Sequence, residues 1–257
     1  MKRKIYRILA AVGIVGLCVG SIGCGKSKHI AAESTVPLEI GEHVVYGSYQ
    51  GEPIEWRILD KKDDELLLLS EYGLDAQPYD TSGKERVLWK DSTIRKWLND
   101  DFYNRAFSKE EQENIVLSFS EGFEKKNVSV NLLGGKPYYH LERETEDKIF
   151  LLSYTEMCEY FDPNPDPDEG SYFDFQYGYD EVLCYPTAYA KERLYMLNVI
   201  DACGWWLGDC LYDNNMIGVI SGYGQCELER ILDSNRYAVR PAMWITWQDD
   251  MKAIEEN

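Results

Sequence analysis

The chain has 257 residues, 45 of them acidic against 27 basic, a formal net charge of −18 and 13% aromatic residues. That length holds one large domain or two small ones, and this aromatic content excludes a disordered chain. The acid surplus excludes the nucleic-acid backbone as a partner, since binding it rests on clustered Lys and Arg that displace counterions. A single apolar stretch long enough to consider as a membrane element excludes a multi-span protein.

That stretch opens the chain. Lys2, Arg3, Lys4 and Arg7 precede 16 uncharged positions from Ile8 to Gly23, short of the roughly 20 residues a spanning helix needs and right for the apolar core of an export signal. It ends in Ser21-Ile22-Gly23-Cys24, which resembles the lipobox of bacterial lipoproteins, with Ser21 where Leu is usual. The resemblance implies cleavage before Cys24 and a diacylglycerol on its thiol. An ordinary secretory signal or an uncleaved anchor is the alternative. Loss of residues 1–23 removes four positive charges and no negative ones, so the net charge moves from −18 to −22. Residues 24–39 are small and polar and read as a tether, 40–248 as a single domain, and 249–257 as a C-terminal tail. The expected location is the outer face of the cytoplasmic membrane, held by lipid.

Gly20 to Ser27 also spells G-x-x-x-x-G-K-S, the phosphate-cradling loop. A helix should follow it, yet the next ten residues carry no amphipathic period and end at Pro37. The match reads as coincidence, and no nucleotide is expected.

In the body, Val44–Tyr49, Ile54–Leu59 and Leu66–Leu69 read as an antiparallel meander, with Ile54, Trp56 and Ile58 on one face. Ile94, Trp97, Leu98 and Phe102 mark a helix capped by Asp91 or Ser92, its wet face made by Arg95, Lys96, Asn99 and Asp100. Ser108-Lys109-Glu110-Glu111 and Ser153-Tyr154-Thr155-Glu156 are capping boxes, the second directly after a predicted strand, Lys148–Leu152. Trp205–Leu207, Met216–Ile220 and Tyr237–Ile245 read as strands separated by loops rich in Gly, Asp, Asn and Tyr.

Tyr46-Gly47-Ser48-Tyr49, Pro53-Ile54-Glu55-Trp56-Arg57, Ser92 to Asn99, Phe102-Tyr103-Asn104, Ala106-Phe107-Ser108, Thr187-Ala188-Tyr189-Ala190, Trp205-Trp206-Leu207 and Val239-Arg240-Pro241-Ala242 occur in this order. Together, over about residues 40–248, they resemble a family of Gram-positive bacteria known by a numbered domain of unknown function. That family more distantly resembles the C-type-lectin-like fold of formylglycine-generating enzymes. The resemblance implies an α+β fold with small antiparallel sheets, flanking helices and long loops. Family members continue the tryptophan pair with Leu-Arg-Ser-Pro-Gly, whereas this chain has Leu207-Gly208-Asp209-Cys210.

Candidate chemistry follows from a few patterns. Asp162, Asn164, Asp166 and Asp168 set oxygen ligands at every second position, as a calcium loop does. Pro167 stands where such a loop needs Gly, so the alternative is a stiff acidic surface segment; otherwise no cofactor is expected. Trp205, Trp206, Tyr223, Tyr237 and Trp244 could stack on sugar rings with Asp209, Asp213, Asn214 and Asn215 as hydroxyl partners. Against this, large aromatics dominate cores, and core placement is the expectation for most of them. Arg240, between apolar residues, reads as an ion-paired or carbonyl-bound arginine before it reads as a ligand clamp. Of the five body cysteines, Cys158, Cys184, Cys203, Cys210 and Cys226, none makes a C-x-x-C spacing. They read as buried thiols, with a Cys203–Cys210 or Cys210–Cys226 bridge as the sharper alternative. With only His43 and His140 in the body and no G-x-S-x-G elbow, zinc and serine chemistry find no support. The expected role is non-catalytic binding of a wall glycan, a peptide or a surface protein through the 203–236 loops. An extracytoplasmic enzyme using carboxylates or cysteines there is the runner-up, and a scaffold in an envelope assembly the third reading.

Overall fold

The structure is a computed structural model that describes residues 38–84, 87–119, 140–141, 145–161, 180–195, 201–211, 216–230, 236–247 and 251–254. The signal segment, Cys24 and the acidic 162–168 run lie outside these residues. The architecture is α+β: short helices, and antiparallel sheets that curl through bulges.

The meander forms as the alternation predicts. β1 (His43–Tyr49) turns at Gln50 and Gly51, both with positive φ (55° and 90°), into β2 (Glu52–Lys62). Two left-handed residues make the hairpin turn whose twist matches its strands. Ile54, Trp56 and Ile58 are buried, and the extra residue of a bulge lets Leu59 turn inward as well. β3 (Glu65–Ser70) buries four consecutive leucines, Leu66 to Leu69, because both of its faces are covered. A two-residue strand, β4 (Tyr72–Gly73), follows.

The amphipathic stretch is helical but not uniform. α1 (Thr93–Trp97) starts at Ser92, whose Oγ accepts from the Arg95 amide. It runs through a π-helical turn, Leu98–Phe102, into α2 (Tyr103–Ala106). The Tyr103 amide reaches back five residues to Leu98 O, which keeps Leu98 and Phe102 both in the core. α3 (Lys109–Asn114) carries the expected capping box, with the Glu111 amide on Ser108 Oγ at 3.2 Å and the Ser108 amide on Glu111 Oε2 at 2.7 Å.

β5 (Ser118–Phe119), β6 (His140–Leu141) and β7 (Glu146–Asp147) are two-residue strands, β5 pairing β7. The strand expected at 148–152 does not form. Asn99 holds that segment instead: its Oδ1 accepts from the Lys148 and Ile149 amides at 2.9 and 3.2 Å, and its Nδ2 donates to Ile149 O at 2.8 Å. One bridge, Phe150 to Ala242, replaces a ladder. The wet face expected of α1 is thus partly interior, since Arg95 also donates to the buried Asp147 at 2.6 Å. α4 (Tyr154–Phe161) begins at the second capping box.

β8 (Tyr185–Pro186) lies parallel to β4, and α5 (Ala188–Lys191) follows it. β9 (Gly204–Leu211), β10 (Met216–Ile220) and β11 (Cys226–Arg230) form an antiparallel series, joined at β9 by the parallel β12 (Tyr237–Ala238) and by β6. β13 (Ala242–Thr246) crosses to the first sheet and completes the order β1-β2-β3-β13. One continuous core spans both sheets. Four buried tryptophans each give their indole N–H an oxygen: Trp56 to Tyr46 O, Trp89 to Asp147 Oδ2, Trp205 to Val182 O and Trp206 to Gln77 O. Residues 251–254 do not leave the body as a tail, since the Ile254 amide bonds His43 O at 2.8 Å.

Candidate functional site

The candidate aromatic platform is interior. Trp205 and Trp206 have no exposed surface. Adjacent strand residues point to opposite faces, so burial of both means that each face of β9 is covered. Trp206 packs on Tyr237 at 4.7 Å and on Tyr79 at 5.6 Å between ring centres. Tyr237 is itself buried and donates to Glu229 Oε2 at 2.9 Å, whereas Tyr223 is exposed. These rings therefore offer no shared face on which a sugar could stack. Asp209 lies within β9, while Asp213, Asn214 and Asn215 fall outside the described residues, as do Asp162, Asn164, Asp166 and Asp168. Among the described residues no group of three or more His, Cys, Asp or Glu is placed to hold a metal ion.

Arg240 is fully buried and faces carbonyls, as its setting suggested. Nε donates to Ser70 O at 2.9 Å, while the two terminal nitrogens reach Val182 O and Glu71 O, each at 3.4 Å. Its guanidinium lies 5.1 Å from the centre of the Trp205 ring. The Glu71 carboxylate, 3.9 Å away, accepts from Arg57 Nε and Nη2 at 2.9 and 2.7 Å. The polar contacts continue through the His43 ring, 3.7 Å from Glu71 and 2.6 Å from Glu55. Such a guanidinium braces backbone and is not free to clamp a ligand.

The two bridges suggested for Cys210 do not fit the register. Cys203 and Cys210 lie seven residues apart along one run, roughly 15 Å or more even with the bulge between Trp206 and Cys210. Cys210 and Cys226 are separated by β10, which puts their strands about 9–10 Å apart before any offset along the chain. Both separations exceed the reach of a disulfide.

An open groove of about 500 Å³ lies elsewhere, between the β1–β2 turn and the corner joining α2 to α3. Gly47, at φ 71°, makes this junction possible: a Cβ there would sit 2.6 Å from the Phe107 ring and 2.7 Å from Ala106 O. Glu111 locks the two sides together. Its Oε1 accepts from the Gly47 amide at 3.0 Å, its Oε2 caps the helix, and its carbonyl accepts from Tyr46 Oη at 2.6 Å. Ser48, Gly51, Pro53, Arg105 and Ser108 also line the groove. The exposed Arg105 is bonded to Asp101 at 3.0 Å, with its guanidinium 5.6 Å from the Tyr49 ring centre. Burial, reinforced by Glu111, pushes the Tyr46 phenol up to about 12 despite the opposing Asn114 hydrogen bond. Burial also raises Tyr49, whose hydroxyl donates to Asp75 Oδ2 at 2.5 Å. Both phenols thus stay neutral donors through physiological pH.

Both walls, Tyr46-Gly47-Ser48-Tyr49 and Ala106-Phe107-Ser108, stand among the family-like motifs, but nothing in their sequence marks a site. They are separated by almost 60 residues, and only the fold brings them together.

The model of DUF6273, a domain of unknown function, matches residues 63–247, more than half of the chain, and the chain belongs to that family. β1 and β2 both precede the matched span, yet they carry one wall of the groove. Comparison with curated proteins and with solved structures yields no match.

Proposed function

We propose that the chain is an exported, lipid-anchored binding module of C-type-lectin-like character that takes an extended wall peptide, wall glycan or surface-protein segment. The observation that carries this reading is the groove between the β1–β2 turn and the α2–α3 corner. It is open at the surface, as a polymer needs, and its walls are joined by hydrogen bonds before any ligand arrives. Its one lining carboxylate, Glu111, has both oxygens engaged by backbone amides, which suits a structural brace and not an acid or a base. Arg105, Ser48 and Ser108 are exposed donors for carbonyls and hydroxyls. The surplus of acid across the chain selects neutral or cationic ligands over anionic wall polymers.

Calorimetric titration of the purified chain with wall fragments of defined composition tests this. Saturable heat without product is expected, with affinity reduced roughly tenfold or more in Arg105→Ala through loss of a charged hydrogen bond. A turned-over fragment favours the enzyme reading instead. No heat with any wall fragment removes the binding reading for that class. For the anchor, fatty-acid labelling of wild type and Cys24→Ala is direct, and equal labelling of both removes lipidation at Cys24.

A further inference from the structure

The loop after Val182 and the segment entering β9 meet at one isolated antiparallel bridge, Cys184 opposite Cys203. The Cys203 amide bonds Cys184 O at 2.7 Å, and the Cys203 thiol donates to the same carbonyl at 3.4 Å. Residues directly paired across such a bridge have Cα atoms about 4.5–5.5 Å apart, inside the roughly 4.4–6.8 Å window of disulfides. The side chains converge too. A Cβ placed on Gly73 would lie 3.3 Å from Cys203 Sγ and 3.5 Å from Cys184 Sγ, so both sulfurs flank one point that glycine leaves vacant. The same Cβ would strike Ala238 at 2.6 Å, so the site tolerates only glycine.

We propose that Cys184 and Cys203 are a disulfide-forming pair that ties the β8–β9 connection shut. This inference rests on the exported reading for its oxidant, a disulfide-bearing thiol oxidant outside the cytosol. On the folding chain, before the pair is enclosed, the Cys184 thiolate attacks one sulfur of the oxidant's disulfide and expels a thiolate. The Cys203 thiolate then attacks the Cys184 sulfur of the mixed disulfide and expels the second. Two cysteine thiols become one disulfide, and the oxidant's disulfide takes up both electrons and both protons as two thiols. In the closed, reduced fold the pair is asymmetric: the hydrogen bond with Cys184 and burial raise Cys203 well above its ordinary value, whereas burial raises Cys184 but the hydrogen bond from Cys203 and the nearby Arg240 guanidinium bring it below its own.

The test uses the full chain, from membranes and as reduced, unfolded protein refolded with oxidised glutathione. Unreduced samples are denatured, alkylated and then cleaved after Glu181 and Glu192 and after Trp205 and Trp206, which isolates the two cysteines on separate peptides. The expected result from both sources is a linked pair of these peptides, lighter than their sum by two hydrogens, and no alkyl label on either cysteine. Closing this loop should raise the melting temperature by roughly 6–12 °C over the reduced chain. Alkyl label on both cysteines after glutathione treatment, or a link from either to Cys158, Cys210 or Cys226, overturns the pairing. Closure with glutathione alongside fully labelled protein from membranes supports the pairing and contradicts an oxidising exterior.

Discussion

Gly47 and Gly51 sit four residues apart, both with positive φ, yet they do different work. At Gly51 nothing lies within 4 Å of a Cβ, whereas at Gly47 the space is filled by Phe107 and Ala106 O. Gly51→Ala should therefore cost only the left-handed backbone, about 1 kcal/mol. Gly47→Ala adds a clash with backbone, which brings its cost to about 2–4 kcal/mol. Denaturant midpoints of the two variants measure the difference, and equal midpoints would mean that the groove wall gives freely. Tyr46 supplies a pH handle on the same junction. Its pKa of about 12 when folded lies above the ordinary value of 10, so its contribution to stability is whole below pH 10 and is lost as pH rises towards 12. Alkaline unfolding followed by tyrosinate absorbance should begin above pH 10 and move in Tyr46→Phe.

At the scale of elements, apolar period was readable and polar contact was not. Ile54, Trp56 and Ile58 alternate in the sequence and face the core together, and Ile94, Leu98 and Phe102 mark the buried side of the helix. Both capping boxes are local patterns, and both form. Arg95 and Asn99 looked like the wet face because their partners, Asp147 to Ile149, lie about 50 residues on. No periodicity records such a contact. The segment at 148–152 was apolar enough for a strand, yet a side-chain amide takes the place of a neighbouring strand. Asn99→Ala should release it: hydrogen exchange at the Lys148 and Ile149 amides should quicken at least tenfold, with a stability loss of about 1–3 kcal/mol. Unchanged exchange at both amides would assign the segment's order to the Phe150–Ala242 bridge alone.

Across the whole molecule, the α+β class and the family are legible in the sequence, but the place where exposed chemistry gathers is not. Trp205 and Trp206 were visible as large aromatics, but their enclosure depends on Tyr79, Tyr237 and Arg240, brought against them from other parts of the chain. The groove was invisible for the converse reason: its lining mixes small, polar and apolar residues, and its two walls share no pattern. Family membership spans residues 63–247, while β1 to β3 and β13 form one sheet around a common core. The body thus needs residues on the N-terminal side of the matched span. Amide chemical shifts of the labelled chain, followed as wall peptide or glycan fragments are added, test the central claim most directly. The account predicts saturable shifts confined to Gly47, Ser48, Gly51, Arg105 and Ser108, with ligand resonances unchanged in number. Shifts gathered instead in the 203–236 loops, or new resonances from a cleaved ligand, would contradict it.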